Sequence, residues 1–170
     1  MEIDALKKEE SGMVGIYARV STDKQNVKQQ RDYLASYCKQ KGLVYRSYMD
    51  EAMSGMLKDR PSWLRLLRDS KKGSIKTILV MKYDRITRDL EYAIEFLAWL
   101  RSNPNVRLIS MWDGGLFDFA DPDQEFYFLL NCLMSQRELK MSKKRSKIGI
   151  DRAKKEGKYK GRPLGSKNKI

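Results

Sequence analysis

The chain has 170 residues, enough for one domain with a substantial buried core. It contains no histidine, which excludes Ser-His-Asp and Cys-His triads and any histidine-ligated metal site. The formal net charge of +13 is concentrated near the end: residues 137–170 hold 14 Lys and Arg against 3 acidic residues, and residues 1–136 hold 21 against 19. A nearly neutral body with a strongly basic tail indicates a polyanionic partner, and a solubilising tail is the alternative.

The compartment is indicated by what the sequence lacks. Nothing resembles a signal peptide, and no apolar run is long enough to span a bilayer, so we expect a cytoplasmic protein that does not contact a membrane. Residues 1–12 are predicted to form a flexible leader. Cys38 and Cys132 lie in helical patterns and are predicted to be buried free thiols.

Strand and helix patterns alternate along the chain, which predicts an α/β fold with a mostly parallel sheet and flanking helices. The predicted strands are residues 13–18, 43–49, 77–83 and 106–112, and the predicted helices are residues 26–41, 63–72 and 90–101. Gly42 is predicted to stop the first helix, and Ser62 to cap the second. The third helix is apolar on two sides, which is typical of a helix sandwiched in the core or at an interface.

A last helix is predicted to start at Asp121, with Pro122 at its first position. It has no breaker before Gly149, so we expect it to run to about residue 156, roughly 50 Å at 1.5 Å per residue. Its first third is apolar, and a seven-residue spacing typical of helix pairing links Tyr127, Met134, Met141 and Ile148. We interpret the first part as a subunit interface and the rest as a basic rod; a core helix with a solvated end is the alternative.

Four arginines follow the ends of predicted strands. Arg19 follows the first strand, Arg60 lies in the loop after the second, and Arg85 and Arg88 follow the third. The carboxyl ends of parallel strands meet at the edge where ligands bind, so these side chains can converge. Guanidinium groups stay charged and bind phosphate oxygens through two hydrogen bonds. Such groups can stabilise the negative charge that builds up in an in-line displacement at phosphorus. Taken singly, each arginine is more typical of the surface.

Ser21 lies three residues beyond the end of the first predicted strand. A serine in this position most often caps the next helix. Because the chain has no histidine, a nucleophile here would depend on arginine, a carboxylate or the substrate for its activation. Asp84, beside Arg85, is either a simple ion-pair partner or part of the same site.

Five motifs together resemble the signature of the serine recombinases, the resolvase/invertase family. In chain order they are Tyr17-Ala18-Arg19-Val20-Ser21-Thr22, Asp50 followed by Ser54-Gly55, Asp59-Arg60-Pro61, Tyr83-Asp84-Arg85-Ile86-Thr87-Arg88 and Gly161-Arg162-Pro163. Their order and spacing match along residues 13–163. The resemblance implies a resolvase-like catalytic domain followed by a long interface helix. The family often has Glu-Arg where this chain has Glu138-Leu139.

The resemblance also implies a mechanism. Ser21 would attack a DNA phosphodiester, forming a 5′-phosphoserine link and freeing a 3′-hydroxyl, while Asp84 would orient the arginines or shuttle a proton. Arg19, Arg85 and Arg88 would hold the scissile phosphate and stabilise the transition state, and Arg60 and Gln25 would assist. The supporting positions are Tyr17, Gln30, Asp50, Ser54 and Glu138. Because the covalent link conserves the bond energy, no ATP, metal ion or other cofactor is expected.

The family acts on double-stranded DNA as dimers that synapse into tetramers through the long helix. The residues expected to contact DNA are Arg145, Lys155, Lys158, Lys160, Arg162 and Lys167. Relatives of this type usually continue past Gly-Arg-Pro into a helix-turn-helix domain. Residues 161–169 are too short for that domain and resemble an arm for an A·T-rich minor groove.

The predicted organisation is therefore a flexible leader at 1–12, a catalytic α/β domain at 13–120, a long oligomerisation and DNA-contacting helix at 121–157, and a basic arm at 158–170. The predicted function is metal- and ATP-independent site-specific DNA recombination. The alternative on the same fold is a catalytically silent DNA-binding regulator that pairs with full-length recombinases. A phosphoesterase is a more distant alternative.

Overall fold

A computed structural model describes residues 12–19, 24–50, 60–158 and 161, with no side-chain description for residues 24–26. In these ranges the elements are β1 (Val14–Arg19), α1 (Lys24–Gln40), β2 (Tyr45–Asp50), α2 (Pro61–Lys71), β3 (Thr77–Val80), α3 (Tyr83–Ile86), α4 (Leu90–Arg101), β4 (Arg107–Ser110), β5 (Gly115–Leu116) and α5 (Pro122–Lys155). The alternation of strands and helices confirms the predicted α/β class.

The sheet has the strand order β2-β1-β3-β4-β5. The first four strands are parallel, and β5 pairs antiparallel with β4 at the edge. The mostly parallel sheet is therefore confirmed. Every residue of the central strands β1 and β3 is buried, as expected for strands whose two faces are both covered by helices.

Alternation of side chains along β1 separates two cores. Ile16 packs on one face of the sheet with Leu34 and other residues of α1. Tyr17 packs on the opposite face with Trp63 of α2. That second core also includes Phe96 and Leu97 of α4 and Phe128 and Cys132 from the start of α5.

Gly15 is required by this close packing. A Cβ at Gly15 would collide with the Leu66 side chain of α2. The missing side chain therefore lets α2 approach the sheet closely, as is common where glycine lies inside a strand.

Two strands are shorter than predicted. β3 ends at Val80, although the strand was predicted to continue to Tyr83. Residues Tyr83–Ile86 instead form the helical turn α3. β4 ends at Ser110, where a turn leads to the two-residue β5, which was not predicted. Short apolar runs fit a strand and a buried helical turn equally well, so periodicity cannot separate them.

Helix ends follow the predicted signals more closely. Gly42 follows α1 with a φ of 66°, the left-handed conformation that favours glycine. α4 spans the predicted residues, and Asp89 caps it by accepting the Tyr92 backbone N–H at 3.0 Å. Along α4, Phe96 is buried whereas Ile94 is 54% exposed.

The helix α5 starts as predicted, because Asp121 Oδ1 accepts the Asp123 backbone N–H at 3.0 Å. It also continues through Gly149, as expected. Its residues belong to two compact units, residues 1–135 and 136–170. In the second unit none of the described residues is buried, and Glu156 pairs with Arg152 and Lys158. The boundaries of the four predicted segments stay a prediction.

Both cysteines are free and buried, as predicted. Burial raises the pKa of Cys38 to about 11. Burial, with Asp84 and Asp113 adding to it, raises the pKa of Cys132 to about 12. Both thiols therefore stay protonated and unreactive near neutral pH.

No helix within the described residues has the length and apolar character needed to cross a bilayer.

Candidate active site

The carboxyl edge of the sheet begins with the end of β1. Tyr17 and Arg19 point to the same face, because side chains alternate along a strand. In the parallel register Tyr17 lies beside Tyr48 of β2, and Arg19 lies beside Asp50. The strand ends thus deliver a phenol, a guanidinium and a carboxylate to one edge.

Asp50 holds the start of α2. Its Oδ1 accepts the Ser62 backbone N–H at 3.0 Å, and its Oδ2 accepts the Trp63 N–H at 3.1 Å. The prediction that Ser62 caps this helix is wrong: the cap position is Arg60, which provides no side-chain cap, and the Ser62 hydroxyl donates to the Met49 carbonyl at 2.8 Å. A carboxylate from a neighbouring strand satisfies the helix N-terminus, where negative charge is favoured.

Asp50 also binds Tyr17, whose hydroxyl donates to Oδ2 at 2.9 Å. Burial raises the pKa of the Tyr17 phenol well above its usual value; Arg60 opposes this effect, and Asp50 reinforces it. Tyr17 is therefore a neutral donor that links β1 to the start of α2.

Arg19 is 1% exposed and ties β1 to the residues that follow β3. Its Nε donates to the Arg85 carbonyl at 3.0 Å, and its Nη2 donates to the Asp84 carbonyl at 2.8 Å. In return, Arg85 Nη1 donates to the Arg19 carbonyl at 3.0 Å. The two arginines thus hold each other's backbone, which confirms that the ends of β1 and β3 bring them together.

Asp84 neutralises part of this charge. Its carboxylate accepts Arg85 Nε at 2.9 Å and Nη2 at 2.6 Å, and it accepts Arg88 Nη2 at 2.8 Å. Burial raises the pKa of Asp84, but hydrogen bonds and charge from Arg85 and Arg88 outweigh burial and leave the pKa below its usual value. Asp84 is therefore ionised at neutral pH and orients both arginines.

The cations remain crowded in spite of Asp84. Burial, followed by the charge of Arg85 and smaller effects of Arg88 and Arg60, lowers the pKa of Arg19 to about 10 against an opposing effect from Tyr17. Arg19 stays charged near neutral pH, and an added anion would relieve the repulsion between like charges. The site is suited to a phosphate group.

Arg60 is completely buried. Its guanidinium carbon lies 5.8, 5.4 and 5.7 Å from the ring centroids of Tyr17, Trp63 and Tyr92. Nη1 donates to the Tyr17 hydroxyl at 3.3 Å and to the Arg85 carbonyl at 3.1 Å. Within the part of the chain that the structure describes, Nε and Nη2 have no hydrogen-bond partner. The aromatic rings thus hold this cation within hydrogen-bonding distance of the Arg85 carbonyl.

A cleft of about 390 Å³ opens beside Arg85. Its lining residues are Gln29, Gln30, Tyr33, Met81, Lys82, Arg85 and Trp112. The structure thus places Gln30, one of the predicted supporting residues, near Arg85 on the wall of an open cleft.

Several predicted site residues are not placed by the structure. Ser21, Ser54, Lys160, Arg162 and Lys167 lie outside the described residues, and Gln25 is described only as backbone within α1. The second compact unit contains Glu138, Arg145, Lys155 and Lys158, all of which are exposed. The roles assigned to all of these residues stay predictions.

Two aromatic residues that contact the site were not predicted from the sequence. Trp63 and Tyr92 surround Arg60, and Trp63 Nε1 donates to the Tyr92 hydroxyl at 2.7 Å. Both lie within the predicted helices 63–72 and 90–101, and neither is predicted to belong to the site. No sequence signal shows that α2 and α4 pack closely enough for these rings to meet over an arginine.

Among the described residues, no group of three or more Cys, Asp or Glu side chains is arranged to hold a metal ion.

Comparisons with known proteins give the class. The family model of the resolvase N-terminal domain matches residues 14–159. The serine recombinase Gin of Escherichia phage Mu is 30% identical over 148 residues, which cover 86% of this chain and 70% of that protein. The Tn917 resolvase of Enterococcus faecalis is 32% identical over 158 residues, which cover 93% and 79% of the two chains.

A solved structure gives the same result. The N-terminal catalytic domain of TP901-1 integrase superposes with a TM-score of 0.58 at 26% identity, covering 75% of this chain and 98% of that one. The chain belongs to the resolvase family of serine recombinases, and it is an enzyme of site-specific DNA recombination.

Proposed function

We propose that Ser21 is the nucleophile of a strand-exchange reaction on double-stranded DNA. The serine oxygen bonds to phosphorus as the bond from phosphorus to the 3′ oxygen breaks, and the proton lost by serine is balanced by one gained at that oxygen. The 5′ end stays attached to the protein as a phosphoserine. A 3′-hydroxyl from another strand reverses the step, so the number of phosphate ester bonds is unchanged and no ATP or metal ion is needed.

The observation that carries this proposal is the arginine cluster at the carboxyl edge of the sheet. Arg19 lies at the end of β1, two residues before Ser21 in the sequence, and is hydrogen-bonded to the backbone at Arg85. A serine that lacks a histidine base needs a strongly electrophilic phosphate, which closely grouped guanidiniums provide by neutralising the charge that builds up in the transition state.

Side-chain exposure divides the arginines into two groups. Arg85 and Arg88 have side chains that are 18% and 26% exposed, so we assign the phosphate contacts to them. Arg19 and Arg60 are 1% and 0% exposed. They act as positioning residues, because both donate hydrogen bonds to the Arg85 carbonyl. Asp84 orients the two outer guanidiniums, and Gln25 assists at the phosphate.

The partners in this proposal are double-stranded DNA and further copies of the chain. The seven-residue series on α5 is exposed at each position: Tyr127 56%, Met134 55%, Met141 44% and Ile148 59%. Exposed apolar residues at this spacing support pairing of helices in a dimer and, on synapsis, in a tetramer. The basic residues of α5 and the arm contact the DNA backbone.

The test is to trap the protein–DNA adduct. On DNA that carries a crossover site, the full chain should form a covalent adduct that survives denaturation, and chelation of divalent ions with EDTA should not prevent it. The variant Ser21→Ala should bind the same DNA with unchanged affinity and form no adduct. Binding without an adduct in the unsubstituted chain would favour the silent regulator, and adduct formation that EDTA abolishes would contradict the metal-independent mechanism.

A further inference from the structure

The cleft beside Arg85 extends away from the proposed phosphate contacts, and apart from Arg85 and Gln30 its lining residues have no role in the reaction described above. Its lining combines planar rings, Tyr33 and Trp112, with the cations Lys82 and Arg85 and the amide of Gln30. Its volume of about 390 Å³ lies within the range of roughly 300–1,000 Å³ found for small-molecule sites. A nucleotide, which joins a planar base to a phosphate, has the matching chemistry.

Trp112 provides a planar surface at the edge of this cleft. It follows β4, and its backbone N–H donates to the Met81 carbonyl at 3.1 Å, which fixes the residue at the carboxyl edge of the sheet. Lys82 Nζ lies 5.1 Å from the ring centroid, yet Trp112 remains 60% exposed. Most of the indole is therefore open to a second planar group.

Gln30 provides a polar group that needs a partner. Its Oε1 is buried and has no hydrogen-bond partner among the described residues. A buried acceptor without a donor is costly, and native structures seldom leave one unsatisfied. Gln30 also lines the cleft, so rotation of its side chain toward the cleft would let the N–H groups on the edge of a nucleobase supply the donor.

We propose that this cleft binds the nucleotide next to the scissile phosphate, with the base stacked on Trp112 and its edge hydrogen-bonded to Gln30. Lys82 and Arg85 hold the adjoining phosphates. The inference rests on the proposed function, because a base pair beside a strand break is no longer held by a continuous backbone and can open. Stacking on an aromatic side chain, which every base can do, would hold that strand end in place until it is rejoined.

Binding can be tested without any chemistry. The full chain is titrated with a single-stranded deoxytrinucleotide while tryptophan fluorescence is followed. Quenching should saturate, persist in the control variant Trp99→Phe, and disappear in Trp112→Phe. In a direct binding measurement with a labelled trinucleotide, Trp112→Ala should weaken binding by about tenfold or more, as should removal of the bases from the trinucleotide. Quenching that survives Trp112→Phe, or equal binding of the abasic trinucleotide, overturns the proposal.

A second measurement separates this proposal from the phosphoserine mechanism. Adduct formation is compared on crossover DNA with and without an abasic nucleotide on either side of the scissile phosphate. The abasic nucleotide should slow the unsubstituted chain and have no further effect on Trp112→Ala. An adduct rate that is indifferent to both changes contradicts the nucleotide site and leaves the phosphoserine mechanism intact. Saturable quenching at Trp112 without any adduct supports the nucleotide site and contradicts the mechanism.

Discussion

At the scale of single residues, the candidate site consists of arginines held in place largely by backbone carbonyls. Arg19 binds the carbonyls of Asp84 and Arg85, and Arg60 also binds the Arg85 carbonyl. These bonds position the cations without neutralising them. Among the residues that the structure describes, Asp84 provides the carboxylate that forms ion pairs with Arg85 and Arg88.

The substitution Asp84→Asn tests the role of that carboxylate in stability. At pH 7 it should cost about 1–3 kcal/mol of unfolding free energy, because Arg85 and Arg88 lose a charged hydrogen-bond partner. The pKa of Asp84 is lowered in the folded chain. Its contribution is therefore present above the unfolded pKa near about 4 and is lost as the pH falls through the folded value.

Urea unfolding of both proteins between pH 7 and pH 3 measures this effect. The gap between the unsubstituted chain and Asp84→Asn should narrow below about pH 4. Asp32→Asn is the matched control: the Asp32 side chain is 60% exposed and pairs with Arg31 at the surface, so it should cost at most about 1 kcal/mol. A gap for Asp84→Asn that stays constant down to pH 3 would refute the ion-pair interpretation.

The sequence predicted the meeting of Arg19 and Arg85 because parallel strands end at one edge of a sheet. It did not predict that Arg60 would be buried among aromatic rings. That arrangement depends on how closely α2 and α4 pack, and packing distance is not encoded in any local pattern. The position of the site at the carboxyl edge of the sheet can thus be predicted from topology, whereas the burial of each arginine cannot.

At the scale of elements, Asp50 joins the end of β2 to the start of α2. One carboxylate accepts two backbone N–H groups of the helix and the hydroxyl of Tyr17. The helix that begins directly after Arg60 is therefore fixed relative to the sheet by Asp50, and the position of Arg60 depends on this cap.

Substitutions at Asp50 and Ser62 distinguish the observed cap from the one predicted from sequence. Asp50→Ala should cost about 2 kcal/mol or more, because it removes a cap and leaves buried donors unpaired. Ser62→Ala removes one hydroxyl bond to the Met49 carbonyl and should cost about 1 kcal/mol. Chemical unfolding measures both values. A larger cost for Ser62→Ala than for Asp50→Ala would show that the serine is the cap after all.

The helices with local end signals were predicted well. α4 and α5 start after Asp89 and Asp121, whose carboxylates accept backbone N–H groups in the first turn. The end of β3 and the whole of β5 were not predicted. β5 has only two residues, and its pairing with β4 is set by the turn between them, which leaves no repeating pattern to detect.

At the scale of the whole molecule, charge and exposed apolar residues are both concentrated toward the end of the chain. Residues 137–170 carry 14 Lys and Arg against 3 acidic residues. This asymmetry was evident from composition and is the main support for a DNA partner. The candidate site at the carboxyl edge of the sheet belongs to the nearly neutral remainder of the chain.

Truncation after Gly157 tests whether the basic arm contacts DNA. It removes Lys158, Lys160, Arg162, Lys167 and Lys169. The slope of the logarithm of DNA affinity against the logarithm of salt concentration should then become less steep by up to about 4.5, at roughly 0.9 per lost phosphate contact. Replacing the same five residues with glutamine in the full chain should give the same change, since charge is responsible. An unchanged slope would show that the arm does not touch DNA.

The central claim is that Ser21 becomes joined to the 5′ phosphate of a cleaved strand. The direct measurement is peptide mapping of the trapped adduct, made on crossover DNA whose two strand ends carry different labels. The proposed mechanism predicts that the 5′-phosphate fragment is attached to the peptide that contains Ser21, and that the other fragment ends in a free 3′-hydroxyl. Attachment at another residue, or linkage through a 3′ phosphate, would contradict it.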